Sequence, residues 1–367
     1  VTAIDLDRHV FNDDLLMDDR NRAAVMARYK TVAHVLDHER LRELFQHYDG
    51  PATKAKRRGR LFGYISIVCI LFAFIIASLE HFWSHVPEAW PKILAGLAGV
   101  LGIAGAAIGS IGVLHSKKKR QWLYGRLMTE RLRQFHFQTM VRRLPQIRAS
   151  LREGPDHPAF VAARAEWLAA FEARFAGKLD SQFAEVVQSE GSEGLWLHPR
   201  HAETEFGPDA PELNPLFEAY RELRIQHQLG YASRELSEFN RKGPRAHHTR
   251  LSTASVLCVG LLCFIHGGIV VLVLKGELAN IEKILAALTI VIALLALAVR
   301  AVEQGLQPER EIERYQQYRS AVRAVLERFD LAKSQAEKLR VMSEMERLSY
   351  DEMRNFLITN SASRFVM

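Results

Sequence analysis

Three places in this chain hold residues that could do chemistry. His198, His201 and Glu203 fall in a Pro- and Gly-rich stretch and are of types that ligate zinc. The run HPRH lacks the second ligand pair that would close such a site, so a solvated loop is the expectation and no metal is assigned. His247-His248 stands among basic residues, where contact with lipid headgroups accounts for it. His266 differs, because it lies in CFIHGG, midway along an apolar run. An ionisable group there is costly in lipid and turns toward protein or water. The bland reading is a neutral imidazole bonded to a neighbouring helix; the functional one is pore lining or proton sensing. Thr289 and Ser110 are the other polar candidates to meet water, and Ser110 is the one hydroxyl in its run. Arg300 stands near the end of an apolar run, where snorkelling explains it.

Glycines at 96, 99, 102, 105, 109 and 112 form a row in one apolar segment. Gly105 and Gly109 make a small-xxx-small pair that lets a second helix approach closely. Gly102, Gly105 and Gly109 are thus candidates for helix packing or for the wall of a central pathway. A P-loop, a dinucleotide fingerprint, a zinc-protease helix, a nucleophile elbow and a CxxC pair are all missing. With no catalytic group and no cofactor motif, an enzyme is not expected.

The elements that must carry these residues are four apolar runs: Leu61–Leu79, Ile93–Leu114, Val256–Leu274 and Ile284–Val302. A helix of about 20 residues crosses the hydrocarbon core of a bilayer, and it satisfies its own backbone there. The mean hydropathy of −0.08 averages these runs with a long polar remainder. Net charge is +7, from 49 Lys and Arg against 42 Asp and Glu. The excess gathers in KAKRRGR at 54–60, KKKR at 117–120 and RKGPRAHHTR at 241–250, beside the ends of the runs. The positive-inside rule accounts for that placement without a nucleic-acid partner. It puts both termini and the long middle segment in the cytoplasm, with the short turns Glu80–Lys92 and Lys275–Lys283 outside. Trp83 and Trp90 read as interfacial anchors. Cys69, Cys258 and Cys263 all fall in apolar runs and read as packing residues. Residues 1–20 show no cleavable signal, and the start at Val1 leads us to expect an upstream segment.

The polar segments read as helix. Val25, Tyr29, Val32 and Leu36, then Leu41, Leu44, Phe45 and Tyr48, form a stripe that Gly50-Pro51 is expected to interrupt. A helix is expected from Lys117 to Leu144, another from Pro158 to Ser189, then a loop over 189–215 and helix again over Leu216–Phe239. In the tail, Ile312, Tyr315, Arg319, Val322, Leu326 and Phe329 follow 3-4 spacing, as a coiled-coil seam or as a packed helix. KILAGLA at 92–98 echoes KILAALT at 283–289, and Tyr124 then falls on Tyr315. A parallel duplication of about 29–150 and 216–358 is the expectation. The fold class is therefore all-α: four transmembrane helices in two hairpins plus a cytoplasmic helical bundle. The segments are 1–60, 61–115, 116–251, 252–303 and 304–367.

A basic-flanked two-span hairpin followed by a long Tyr- and Arg-rich helix resembles the SLATT family. These are two-span effector domains found beside SMODS nucleotidyltransferases and SLOG nucleotide-sensing domains. KKKRQWLYGRL at 117–127 and REIERYQQYRSAVRAVLERF at 310–329 carry the resemblance, here as a tandem pair. It implies a prokaryotic inner-membrane effector, oligomeric, that opens or disrupts the membrane in response to a cytoplasmic nucleotide signal, as in anti-phage defence. A sensing domain upstream or on a separate chain is implied as well. It transfers no catalytic residue. The alternative is a non-conducting membrane scaffold whose cytoplasmic helices bind partner proteins.

Overall fold

The computed structural model describes residues 12–79, 89–110, 117–152, 157–188, 194–199, 210–275 and 281–362. Among them there is no strand. The helices are α1 (Asp19–Arg28), α2 (Ala33–Leu36), α3 (Glu39–Leu79), α4 (Ala89–Ala107), α5 (Lys117–Arg142), α6 (Leu144–Ser150) and α7 (Pro158–Phe175). They continue with α8 (Leu179–Gln188), α9 (Asn214–Tyr220), α10 (His227–Glu235), α11 (Pro244–Lys275), α12 (Glu282–Leu306), α13 (Pro308–Leu331) and α14 (Gln335–Ala362). A π-helical turn over Arg221–Gln226 joins α9 to α10. The chain divides into two compact units. A polar one draws on Val1–Thr53, Gln121–Ser237 and Glu313–Ala362; an apolar one draws on Lys54–Arg120 and Glu238–Ile312.

The polar unit is a helical bundle around one core. Leu16, Val32, Phe45, Leu132, Phe137, Leu216, Val322 and Met345 are all closed to solvent. Asp18 opens α1 by accepting from the backbone N–H groups of Arg20 and Asn21, a side-chain N-cap. Arg164 closes α2 by donating to the carbonyls of His34 and Asp37 at 2.5 and 2.9 Å. Three expected boundaries moved. Pro51 does not interrupt α3, which runs through it. A proline inside a helix costs about 3 kcal/mol. Leu41 and Phe45 before it and Ala52 after it are buried, and their burial offsets that cost so that the helix continues across an exposed Pro51. The helix expected over 158–189 ends at Phe175 and restarts at Leu179, because Gly177 takes φ +68, which glycine alone adopts freely. The helix expected to reach Phe239 stops at Glu235.

Of the expected tail stripe, Tyr315, Val322 and Phe329 are buried, Ile312, Arg319 and Leu326 are half-buried, and Tyr318 and Val325 complete the packed face. Tyr318, Val322, Val325 and Phe329 of α13 lie in the bundle's own core. α12 ends at Leu306 and is capped by Gln307, at φ +47, and α13 begins at Pro308, which suits the first turn of a helix.

Four helices are long and apolar enough to cross a membrane: α3, the α4 segment Ala89–Ser110, α11, and the stretch Glu282–Leu331 that contains α12. In the apolar unit they are built inside out. The residues turned inward include Ser66, Ala73, Ala98, Gly105 and Ala287, whereas Ile103, Phe264 and Leu274 are more than 70 % exposed. Of the expected turns Glu80–Lys92 and Lys275–Lys283, residues 80–88, Trp83 among them, and 276–280 lie outside the described residues, while α4 already begins at Ala89 and α12 at Glu282.

Candidate functional site

The glycine row in α4 is a contact surface on α3. A Cβ on Gly105 would sit 2.7 Å from Ile70 Cγ1 and 3.1 Å from the Ile70 backbone nitrogen, so only glycine fits without a shift. On Gly109 it would meet Ser66 Oγ at 2.6 Å, and on Gly102 it would reach Ala73 at an ordinary 3.7 Å. Ser66, buried, donates to the Gly105 carbonyl at 2.8 Å, a bond made available by the close approach. Gly96 and Gly99 have open space around them. Beside this crossing lies an apolar groove of about 610 Å³, lined by Ala73, Ala77, Ala95, Gly99, Gly102 and Ala106 among others. Gly105 and Gly109 are thus turned to α3 of their own chain, and Gly102 borders the groove. Ser110 is exposed.

His266 is exposed on α11. Its Nδ1 lies 2.8 Å from the Leu262 carbonyl, one turn back. A carbonyl only accepts, so Nδ1 is the donor of this bond. Thr289 on α12 has a buried hydroxyl oxygen with no hydrogen-bond partner among the described residues. Cys69, Cys258 and Cys263 are free thiols.

In the polar unit His198 corrects the expectation of a solvated loop. It is buried, its Nε2 reaches the Phe135 carbonyl at 3.1 Å and Thr139 Oγ1 at 3.0 Å, and its ring packs on Phe135. Burial, then the charges of Arg143 and Arg142, bring its pKa down to about 4. His201 and Glu203 lie outside the described residues, and among those described no three metal-ligating side chains cluster.

The polar unit also buries charge that sequence reading did not single out. Arg224 forks onto Glu346 at 2.9 and 3.2 Å, both side chains closed to solvent, and the Tyr220 hydroxyl donates to the same carboxylate at 2.8 Å. Burial pushes the Glu346 carboxyl up, against the pull of Arg224 and Tyr220. Arg133 pairs with Asp14 at 2.6 Å and with Glu130 at 2.7 Å. Arg131, fully buried, donates to the carbonyls of Gly194 and Leu195 and so ties that segment to α5. Four histidines sit in the same unit with depressed pKa values. Burial and then Arg164 bring His38 down to about 2 and His136 to about 3, and burial followed by His157 and Arg164 takes His34 to about 4. The one local hint of such buried charge was an arginine between apolar neighbours, as in Leu223-Arg224-Ile225.

Compared with known proteins, the chain matches no family model, no curated protein and no solved structure.

Proposed function

We propose that the apolar unit crosses a cell's inner membrane as two hairpins, α3–α4 and α11–α12, and that several copies surround a gated water path. Both termini and the polar bundle are cytoplasmic in this reading, and the bundle receives the signal. The SLATT resemblance makes a nucleotide the first signal to try, as in defence against phage, read by an upstream or separate sensing domain.

The exposed His266 is the observation that carries the pore. An exposed imidazole is expensive in hydrocarbon. A water path, or the surface of another copy, removes that cost. The large side chains exposed along the apolar helices, Val100, Ile103, Phe264 and Leu274 among them, suit lipid. The scaffold alternative wants an unspent apolar stripe on the cytoplasmic helices, and the stripe of α13 is consumed in the bundle core.

Two experiments test this. Cysteine labelling in whole cells should reach residues 276–280 from outside and the tail only from the cytoplasm. In planar bilayers the full chain should give discrete conductance steps, altered several-fold by His266→Ala and unaltered by Val100→Phe. Silent bilayers, with insertion verified and nucleotides supplied, would overturn the pore and leave the scaffold.

A further inference from the structure

A short stretch ahead of α1, Asn12-Asp13-Asp14-Leu15-Leu16, is buried along its whole length, two carboxylates included. Its backbone is left-handed at both ends, with Asn12 at φ +75 and Leu16 at φ +56. Asparagine tolerates that region, but a leucine enters it at a cost and stays only where its surroundings fix it. Two kinds of contact do so. Leu15 and Leu16 enter the core of the bundle. The enclosed Asp14 carboxylate lies 2.6 Å from Arg133 Nε, and the same guanidinium donates to Asn12 Oδ1 at 2.6 Å. That guanidinium also sits 5.4 Å over the Phe45 ring. Burial raises the Asp14 carboxyl, yet Arg133, then His227 and Arg224, outweigh burial and the opposing Glu130 and hold it below the usual carboxylate range.

The turn Asp13–Leu15 packs on the π-helical turn Arg221–Gln226. The end of α1 grips that turn a second time. Arg28 Nη1 donates to both Glu222 oxygens, at 2.7 and 2.6 Å, and the Tyr29 hydroxyl donates to Glu222 Oε2 at 2.6 Å. Such turns interrupt α-helices mostly at functional sites. Arg224, which reaches Glu346, belongs to this one. Withdrawal of Asn12–Leu16 leaves no charge of the slot stranded. Arg133 keeps Glu130 at 2.7 Å, Glu130 keeps Arg126 at 2.6 Å, and Asp14 passes to water, where a carboxylate is well solvated.

We propose that Asn12–Leu16 is a removable plug, an internal ligand that fills a slot bounded by Arg133, Phe45 and the π-helical turn and holds that turn in place. The slot recognises an acidic segment that carries leucine, and the chain supplies its own. The device lies within the polar unit and is independent of whether the apolar helices conduct.

Hydrogen exchange of the full chain in mild detergent, read by mass spectrometry, tests it. Asp14→Arg sets a cation against Arg133 and should expel the plug. Amides over 221–228 should then exchange about ten-fold faster or more, while those of α7 keep their parent rates. Asp14→Asn, a milder change, should fall between the two. Arg323→Gln, exposed in the same unit, should alter neither region. A synthetic peptide of residues 12–18, supplied in excess, should return the Asp14→Arg protein toward parent rates, and the same peptide carrying Asp14→Arg should not. Parent rates over 221–228 in both Asp14 variants overturn the plug. Equal acceleration of α7 in both means that the bundle opens as a whole and overturns selective release. Rates unmoved by the peptide overturn the slot as a site for a separate acidic segment.

Discussion

The two units are packed in opposite senses from the same kind of helix. In the polar unit the large apolar side chains are inside, and charges that enter the core arrive with partners, as Arg224 does with Glu346. In the apolar unit most large side chains are outside, and the inward face is made of Gly105, Ser66, Ala73 and Ala287 with Ile265 and Ile292. Where water is the solvent, removing apolar area from it is the driving force. Where lipid is the solvent, burial of apolar area gains little, and close backbone approach and interhelical hydrogen bonds do the holding. The contrast teaches that stability in the first unit is sensitive to charge and proton, and in the second to volume.

Acid should expose the largest difference. His38, His136 and His198 are held below the ordinary pKa of about 6.5 in the fold, so the folded state resists protons that the unfolded state accepts. Their stabilisation is complete above about pH 6.5 and is lost as the pH falls toward the folded values. Each site surrenders about 1.4 kcal/mol per pH unit within that window. Urea midpoints in mild detergent, followed by the fluorescence of Trp122, Trp167 and Trp196, should drop steeply between pH 6.5 and 4.5. Helix content from the four apolar segments should persist. Midpoints that do not move would mean the histidines are solvated.

Next in size is the buried pair. Arg224→Ala strands the Glu346 carboxylate in the core and should cost about 3–5 kcal/mol. Replacing both partners, Arg224→Met with Glu346→Leu, should restore most of it. A single variant as stable as the parent would show that the pair opens to water.

Volume then tests the apolar unit. Gly105→Leu forces a side chain against Ile70 and should cost about 1–3 kcal/mol, read as a lower melting point in detergent or a changed oligomer size. Val100→Phe, at a position 65 % exposed, should stay within about 0.5 kcal/mol. Should both substitutions be silent, the crossing of α3 and α4 is looser than the Ser66–Gly105 bond implies. Should both be damaging, the Val100 face is itself covered.

Much of this was legible along the chain and some was not. The glycine row announced a close contact, and its partner residues Ser66, Cys69 and Ile70 could not be named before the helices were placed together. His198 looked like loop and is core, because the aromatic rings that bury it come from α5 and α7. Pro51 looked like a break, because a local cost is visible in sequence and the tertiary burial that offsets it is not.

The sequence by itself determined the four crossing-length helices, the all-helical character and the basic flanks. Each depends on neighbours within a few turns, where periodicity, hydropathy and charge act locally. Only the tertiary structure decided which face of α4 meets α3, and that Arg224 finds a carboxylate 122 residues away. Those pairings are chosen by how separate helices share space and charge, and a linear pattern does not record the identity of a partner brought from elsewhere in the chain.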